Sequence, residues 1–234
     1  TSSVSWNLSA GGGSGNMFIG QGTGESITTG GGNLALGYLA MGKLSTGDYN
    51  IAIGRYALQN NITGGWNIGI GEEALGASES MSDNLAIGNF ALRVSTESEK
   101  SVALGGSSLI SSTTGDKNTA IGFNAGNIIT TGSNNTFIGH DANAGAADLE
   151  NATALGSGAS VSASNTIQLG NTSVTNVKTA GSITAGSITI PNTDGTNGQV
   201  LTTNGSGSLS WTNIITTDTD DQNISISGDT LYIS

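Results

Sequence analysis

The sequence predicts an all-β fold, a parallel β-solenoid of 17-residue coils, on two observations. The first is a recurring signature, Asn-x-(small)-(Ile/Leu)-Gly. It stands at Asn16–Gly20, Asn33–Gly37, Asn50–Gly54, Asn67–Gly71, Asn84–Gly88, Asn118–Gly122 and Asn135–Gly139, with degenerate copies ending at Gly105 and Gly156. From Gly20 to Gly156 every step between closing glycines is 17 residues, without insertion. A period this strict marks stacked units, each resting on its neighbours. The second is the register of the apolar residues. The position before the closing glycine is always Ile or Leu, and the position three before it runs Met17, Leu34, Ile51, Ile68, Leu85, Val102 and then Thr119, Thr136, Thr153. A disordered chain has no need to hold such a register, although 38 glycines, one proline and only 10% charged residues would by themselves suit one.

The chain opens on Ser3–Ser9, which alternates like a short strand, and on the glycine run Gly11–Gly15, so residues 1–15 read as a strand and a flexible joint. Residues 16–170 are the repeated coils. Within each coil Ile/Leu and the residue two before it share one strand face, since side chains alternate. The residue between them is mostly alanine: Ala35, Ala52, Ala86, Ala103, Ala120 and Ala154. A second short strand is expected at Ala57-Leu58 and its equivalents, giving two strands and two turns per coil. Facing sheets lie about 10 Å apart, which favours large aliphatics such as Ile53 and Leu58 inside. The alanine row is then expected to face out, as a narrow stripe that lets sister chains approach closely, and those six alanines are the candidate interface of a homotrimer or other bundle of rolls, a number that the periodicity does not give. The asparagine opening each unit is a candidate for a side-chain ladder or a turn cap.

The period breaks after Gly156. Asn165–Gly170 follows after 14 residues with Gln168 at its centre, an atypical terminal coil. Residues 171–234 read as a β-rich neck or stalk. It carries a tandem Ala-Gly-Ser-Ile-Thr at 180–184 and 185–189, turns at Pro191–Gly195, Asn204-Gly205 and Gly228-Asp229, and alternating segments at 199–203, 208–211, 223–227 and 230–233. These strands are too few for a core of their own, so they are expected to intertwine with other subunits.

Function classes are excluded by what is missing. Net charge is −11 and the six basic residues are scattered, so there is no patch for phosphates, nucleic acid or an anionic membrane surface. There is no cysteine for a disulfide or thiolate metal site, and no apolar run near the roughly 20 residues of a membrane span. No signal peptide is visible and the chain starts at Thr1, which reads as a processed protein or a fragment. His140 reads as a surface variant of a repeat turn, and no Ser/His/Asp set can be assembled. Gly20–Gly24 lacks the βαβ context of a phosphate loop. Glu72-Glu73 and the Glu97/Glu99 pair fall in solvent-facing turns. The acidic cluster Asp218–Asp221 lacks the glycine and distal glutamate of a calcium loop and reads as a solvated turn. No catalytic residue, cofactor or metal is expected. Tyr38, Tyr49, Tyr56 and Trp66 sit at turns of early coils; they are candidates either for stacking on a receptor glycan or for packing between coils.

The Asn-x-Ala-Ile-Gly pattern resembles the head of the trimeric autotransporter adhesins, the YadA-like head. In its 17-residue form, followed by Asn165–Asn171 and Asn197–Thr203, it resembles tail-fibre proteins of phages and phage-like contractile injection systems. The resemblance covers about residues 16–211. It implies a left-handed parallel β-roll, a homotrimer, and an extracellular fibre that joins larger fibre or baseplate components and contacts a glycan or protein receptor on a target cell. A cell-surface adhesin of the autotransporter type, on the bacterial outer surface, is the alternative.

Overall fold

The computed structural model describes residues 6–7, 13–186, 188–191, 193–214, 224–227 and 230–233. Every regular element among them is a β-strand, and the chain divides into two compact units, Thr1–Thr175 and Asn176–Ser234. The expected acidic cluster at 218–221 and the Gly228-Asp229 turn lie outside the described residues.

The first unit is a parallel β-solenoid. Its strands are β1 (Trp6–Asn7), β2 (Met17–Ile19), β3 (Leu34–Leu36), β4 (Ile51–Ile53), β5 (Ile68–Ile70), β6 (Leu85–Ile87), β7 (Val102–Leu104), β8 (Thr119–Ile121), β9 (Thr136–Ile138), β10 (Asn143–Ala144), β11 (Thr153–Leu155), β12 (Ser160–Val161) and β13 (Ile167–Leu169). From β2 onward, one strand per coil stacks in parallel at a constant offset of one repeat: Leu34 pairs Ile51, Ile51 pairs Ile68, Ile68 pairs Leu85. The last coil is the shorter one, Thr153 pairing Ile167, and β13 ends the eleven-stranded sheet. There Gln168 replaces alanine, is half-buried, and donates from Nε2 to its own turn at Gly170 O, 2.8 Å. At the other end β1 joins antiparallel to β2.

The closing glycine of each coil is dictated twice over. Gly54 has φ +135°, a region closed to side-chain-bearing residues, and a Cβ there would lie 2.5 Å from Gly71 O of the next coil. The other corners use left-handed residues that are not glycine. In the coil after Gly54 these are Tyr56 (φ 61°), Leu58 (φ 49°) and Trp66 (φ 61°), and the same columns repeat along the unit. Such conformations carry strain that persists only where the surroundings fix them. Here they do, because each corner residue is held by the neighbouring coil: Leu58 N–H donates to Ala74 O and Leu75 N–H to Ala91 O, both 3.0 Å.

That geometry corrects the expected second strand. The Ala57-Leu58 segment and its equivalents are turns, since a residue near φ +50° cannot continue an extended chain. Among the described residues of this unit only β10 and β12 form a second pair, Ala144 against Val161.

It also corrects the assignment of faces. Ala35, Ala52, Ala86, Ala103, Ala120 and Ala154 are fully buried inside the coil, and the Ile/Leu columns on either side of them point outward. The six alanines therefore cannot be an intersubunit surface. The reason is volume. The coil is filled by one layer of long side chains from the turn column Met41, Leu58, Leu75, Leu92 and Leu109, all fully buried, so the strand opposite has room only for a methyl group. At Gly69, which takes the place of alanine, an added Cβ would sit 3.3 Å from Leu58 Cγ. Phenylalanine takes the alanine position only where the turn column gives up its long side chain: a Cβ on Gly24 would meet the Phe18 ring at 2.6 Å, and one on Gly126 the Phe137 ring at 2.7 Å.

The asparagines form a buried ladder inside the same wall. Asn50 donates from its backbone N–H and from Nδ2 to Asn33 Oδ1, at 2.8 and 3.1 Å, and a second time from Nδ2 to Gly64 O at 2.8 Å. Asn33, Asn67 and Asn135 repeat this pattern on their neighbours. Each side chain thus satisfies a backbone N–H of the next coil and a carbonyl of a turn, groups that would otherwise be buried unpaired. Where Ser101 interrupts the ladder, its Oγ accepts from Asn118 N–H at 3.2 Å and lies 3.2 Å from Ser98 Oγ.

The second unit holds three antiparallel hairpins: β14 (Ile183–Ala185) with β15 (Ile188–Ile190), β16 (Gln199–Thr203) with β17 (Leu209–Asn213), and β18 (Ile224–Ser227) with β19 (Thr230–Ile233). Among its described side chains none is buried, and Val177, Ile188 and Ile214 are exposed. Trp211 is pinned by its indole N–H donating to Thr193 O at 2.7 Å and lies against Gly195.

Candidate functional site

The outer face of the solenoid sheet is an apolar surface that repeats from coil to coil. Each three-residue strand turns its centre inward and its two ends outward. The outward ends make two adjacent columns, one of Ile19, Leu36, Ile53, Ile70, Ile87, Leu104, Ile121, Ile138 and Leu155, the other aliphatic from Met17 to Val102 and threonine from Thr119 to Thr153. Leu36 is 43% exposed, Ile87 38% and Leu155 44%, so a continuous apolar strip faces outward across nine coils. Sequence reading missed this surface. The signal was parity: Asn50 and Ala52 are two apart and must share a face, so a buried asparagine ladder fixes alanine inside and Ile51 and Ile53 outside.

The four aromatic candidates do not converge on one patch. Tyr49 and Trp66 lie two residues before their strands and stack on each other, centroids 4.4 Å apart and planes at 25°, with 55% and 60% of each exposed. Tyr38 and Tyr56 follow their strands, past the opposite strand ends, and meet edge-to-face at 5.5 Å. The rings pack between coils, and Tyr49 and Trp66 keep more than half of their surface exposed. A third pair, Phe123 over His140 at 5.6 Å, was not singled out from sequence, though both residues follow a closing glycine and so share a column.

Around Tyr56 the surface is charged as well as aromatic. Arg55 lies 4.3 Å over the Tyr56 ring and bonds Glu72 at 2.9 Å. That hydrogen bond raises the Arg55 pKa above its ordinary value, against a smaller opposing effect of desolvation, so the guanidinium stays charged. Arg93 pairs with Glu73 and lies 5.2 Å over Phe90. Glu72 and Glu73 are thus each tied to an arginine of a neighbouring coil. Glu99 pairs with Lys100 at 3.6 Å, and His140 Nδ1 lies 2.8 Å from Asp141, both well exposed. Thr23, within the glycine-rich Gly20–Gly24 stretch, donates to Gly37 O at 2.7 Å, so that stretch is a coil corner. Among the described residues no three His, Cys, Asp or Glu side chains gather as a metal site, and no helix is long and apolar enough to cross a membrane.

Comparison with family models, with curated proteins and with solved structures finds no match. The coil geometry is consistent with a β-roll repeat.

Proposed function

We propose that this chain is the subunit of a non-catalytic, homotrimeric fibre that acts outside the cell and contacts a target surface, as tail fibres of phages and contractile injection systems do. The outward apolar strip carries this reading. Its side chains recur at the spacing of one coil, so the surface that matches it tooth for groove along its whole length is another copy of the same solenoid. An apolar strip of this extent is a costly solvent surface for a lone chain. The number three comes from the resemblance of the Asn-x-Ala-Ile-Gly repeat to trimeric heads. The hairpins of the second unit support the same reading, because isolated two-stranded hairpins are marginal in water and gain a core by pairing with sister chains. Avidity from three copies then compensates for weak individual contacts.

Two substitutions on adjacent residues test it. Ile87→Asp places a charge on the outer strip and is expected to reduce the particle from three times the 23.2 kDa chain mass towards one, leaving the β circular-dichroism signal intact. Ala86→Leu overpacks the coil interior and is expected to destabilise by about 1–3 kcal/mol without lowering the mass at temperatures below its melt. A wild-type chain that sediments as a monomer at micromolar concentration ends the proposal.

A further inference from the structure

A notch is cut into the side of the solenoid at one coil. Its floor is Gly76 and Ala77. In the same two columns neighbouring coils carry Gln59, Arg93 and Ile110, and Asn60, Val94 and Ser111, so a coil with two small residues leaves a gap between larger ones. The result is a cleft of about 410 Å³ lined by Tyr56, Gln59, Asn60, Glu73, Arg93 and Val94 above that floor. The walls stand two strand spacings apart, roughly 9–10 Å between backbones, and stacking fixes that distance. The lining lies in columns other than the two outward apolar ones, so it is chemically separate from the strip.

We propose that this cleft binds a neutral sugar unit of a surface glycan, which deepens and rests on the receptor-contacting reading of the fibre. The lining carries one carboxylate and one guanidinium, already paired as Glu73 and Arg93. An anion meets Glu73 and a cation meets Arg93. A neutral polyhydroxylated ring uses both, its adjacent hydroxyls donating to the carboxylate and accepting from the guanidinium. The Gln59 side-chain amide makes no hydrogen bond to another described residue and offers a donor and an acceptor. Asn60 is held in place by Nδ2 donating to Gly76 O at 2.6 Å. Tyr56 and Val94 supply apolar surface for the C–H face of the ring. Tyr56 is itself braced by Arg55 on its ring and by Tyr38 at its side, so the wall is set before a ligand arrives. A concave surface with a few convergent polar groups is a usual form of a small-ligand site.

The test is a printed array of defined neutral and sialylated oligosaccharides, followed by titration of the strongest neutral hit against wild type, Ala77→Ile, Arg93→Ala and the distant control Lys117→Ala. Ile128 already stands in the column of Ala77, so Ala77→Ile fills the notch with a side chain the repeat accepts. The expected result is retention of neutral glycans by wild type and Lys117→Ala, and at least tenfold weaker binding by Ala77→Ile and Arg93→Ala. No retained neutral glycan, retention of sialylated glycans alone, or equal binding by Ala77→Ile overturns the proposal. Particle mass, measured on the same samples, separates the two failures: a trimer without glycan binding overturns the cleft and leaves the fibre, whereas a monomer overturns the fibre.

Discussion

Phe137→Ala is expected to destabilise the first unit by about 3–5 kcal/mol, lowering its melting temperature by roughly 10 °C. Phe137 is fully buried and occupies the strand-centre position that alanine fills in most coils. Truncation therefore leaves a cavity, because the long turn side chain that would fill it is absent: Gly126 stands where Leu58, Leu75 and Leu92 stand elsewhere. Gly126→Leu alone is expected to be harmful as well, since even its Cβ would lie 2.7 Å from the Phe137 ring and 2.9 Å from Leu109 Cδ2. The backbone at Gly126, φ +63°, is close to that of Leu109 at +49°, so leucine can adopt it as the other coils do. The double variant rebuilds the common alanine–leucine pair and is expected to recover most of the loss. Thermal melts of the three variants in a double-mutant cycle check this. Additive losses in the double variant would show that the two columns do not share one space.

The second large effect is expected at Asn67. Its Oδ1 accepts from Asn84 N–H at 3.1 Å and Nδ2 at 3.3 Å, and its own Nδ2 donates to Met81 O at 2.6 Å and to Asn50 Oδ1 at 3.1 Å. Asn67→Ala leaves the Asn84 N–H and the Met81 carbonyl without these partners inside the wall, at about 1–3 kcal/mol for each. Asn67→Ser is expected to cost less. Ser101 already shows that a hydroxyl can accept the next backbone N–H, as it does from Asn118. Amide hydrogen exchange should locate the damage: faster exchange at Asn84 and its neighbours, with β2 and β9 unaffected, is the pattern expected of units that contact only the adjacent coil. Uniform acceleration along the whole sheet would mean the ladder acts as one cooperative element.

Much of the fold was legible because stacking imposes itself on sequence directly. The spacing of Gly20 to Gly156 predicts one coil per repeat. The closing glycines are required by φ near +135° and by the carbonyl of the next coil, a requirement that no other residue meets. The shortened last unit with Gln168 predicts the end of the sheet at β13. The turn at Ala57-Leu58 was not legible, because alternation of apolar residues looks the same in a short strand and in a corner whose leucine is left-handed. The aromatic candidates were found as residues but not as pairs. Which rings meet depends on the column each occupies, and Tyr49 and Tyr56 fall past opposite ends of one strand. The cleft at Gly76-Ala77 is an absence of side chain, visible only against the walls that neighbouring coils provide.

The sequence by itself determined the period, the direction of stacking and the alternation of two kinds of strand position. Residue size alone pointed the wrong way on which kind lies inside, placing the large Ile/Leu column in the coil and the mostly alanine column outside. Tertiary structure decided that, for a steric reason: the leucine column from the facing turn already fills the coil, so only a methyl fits opposite it, and the larger aliphatics are turned outward. The same inversion turns the asparagines inward, where their amides close hydrogen bonds that exist only once one coil lies on the next.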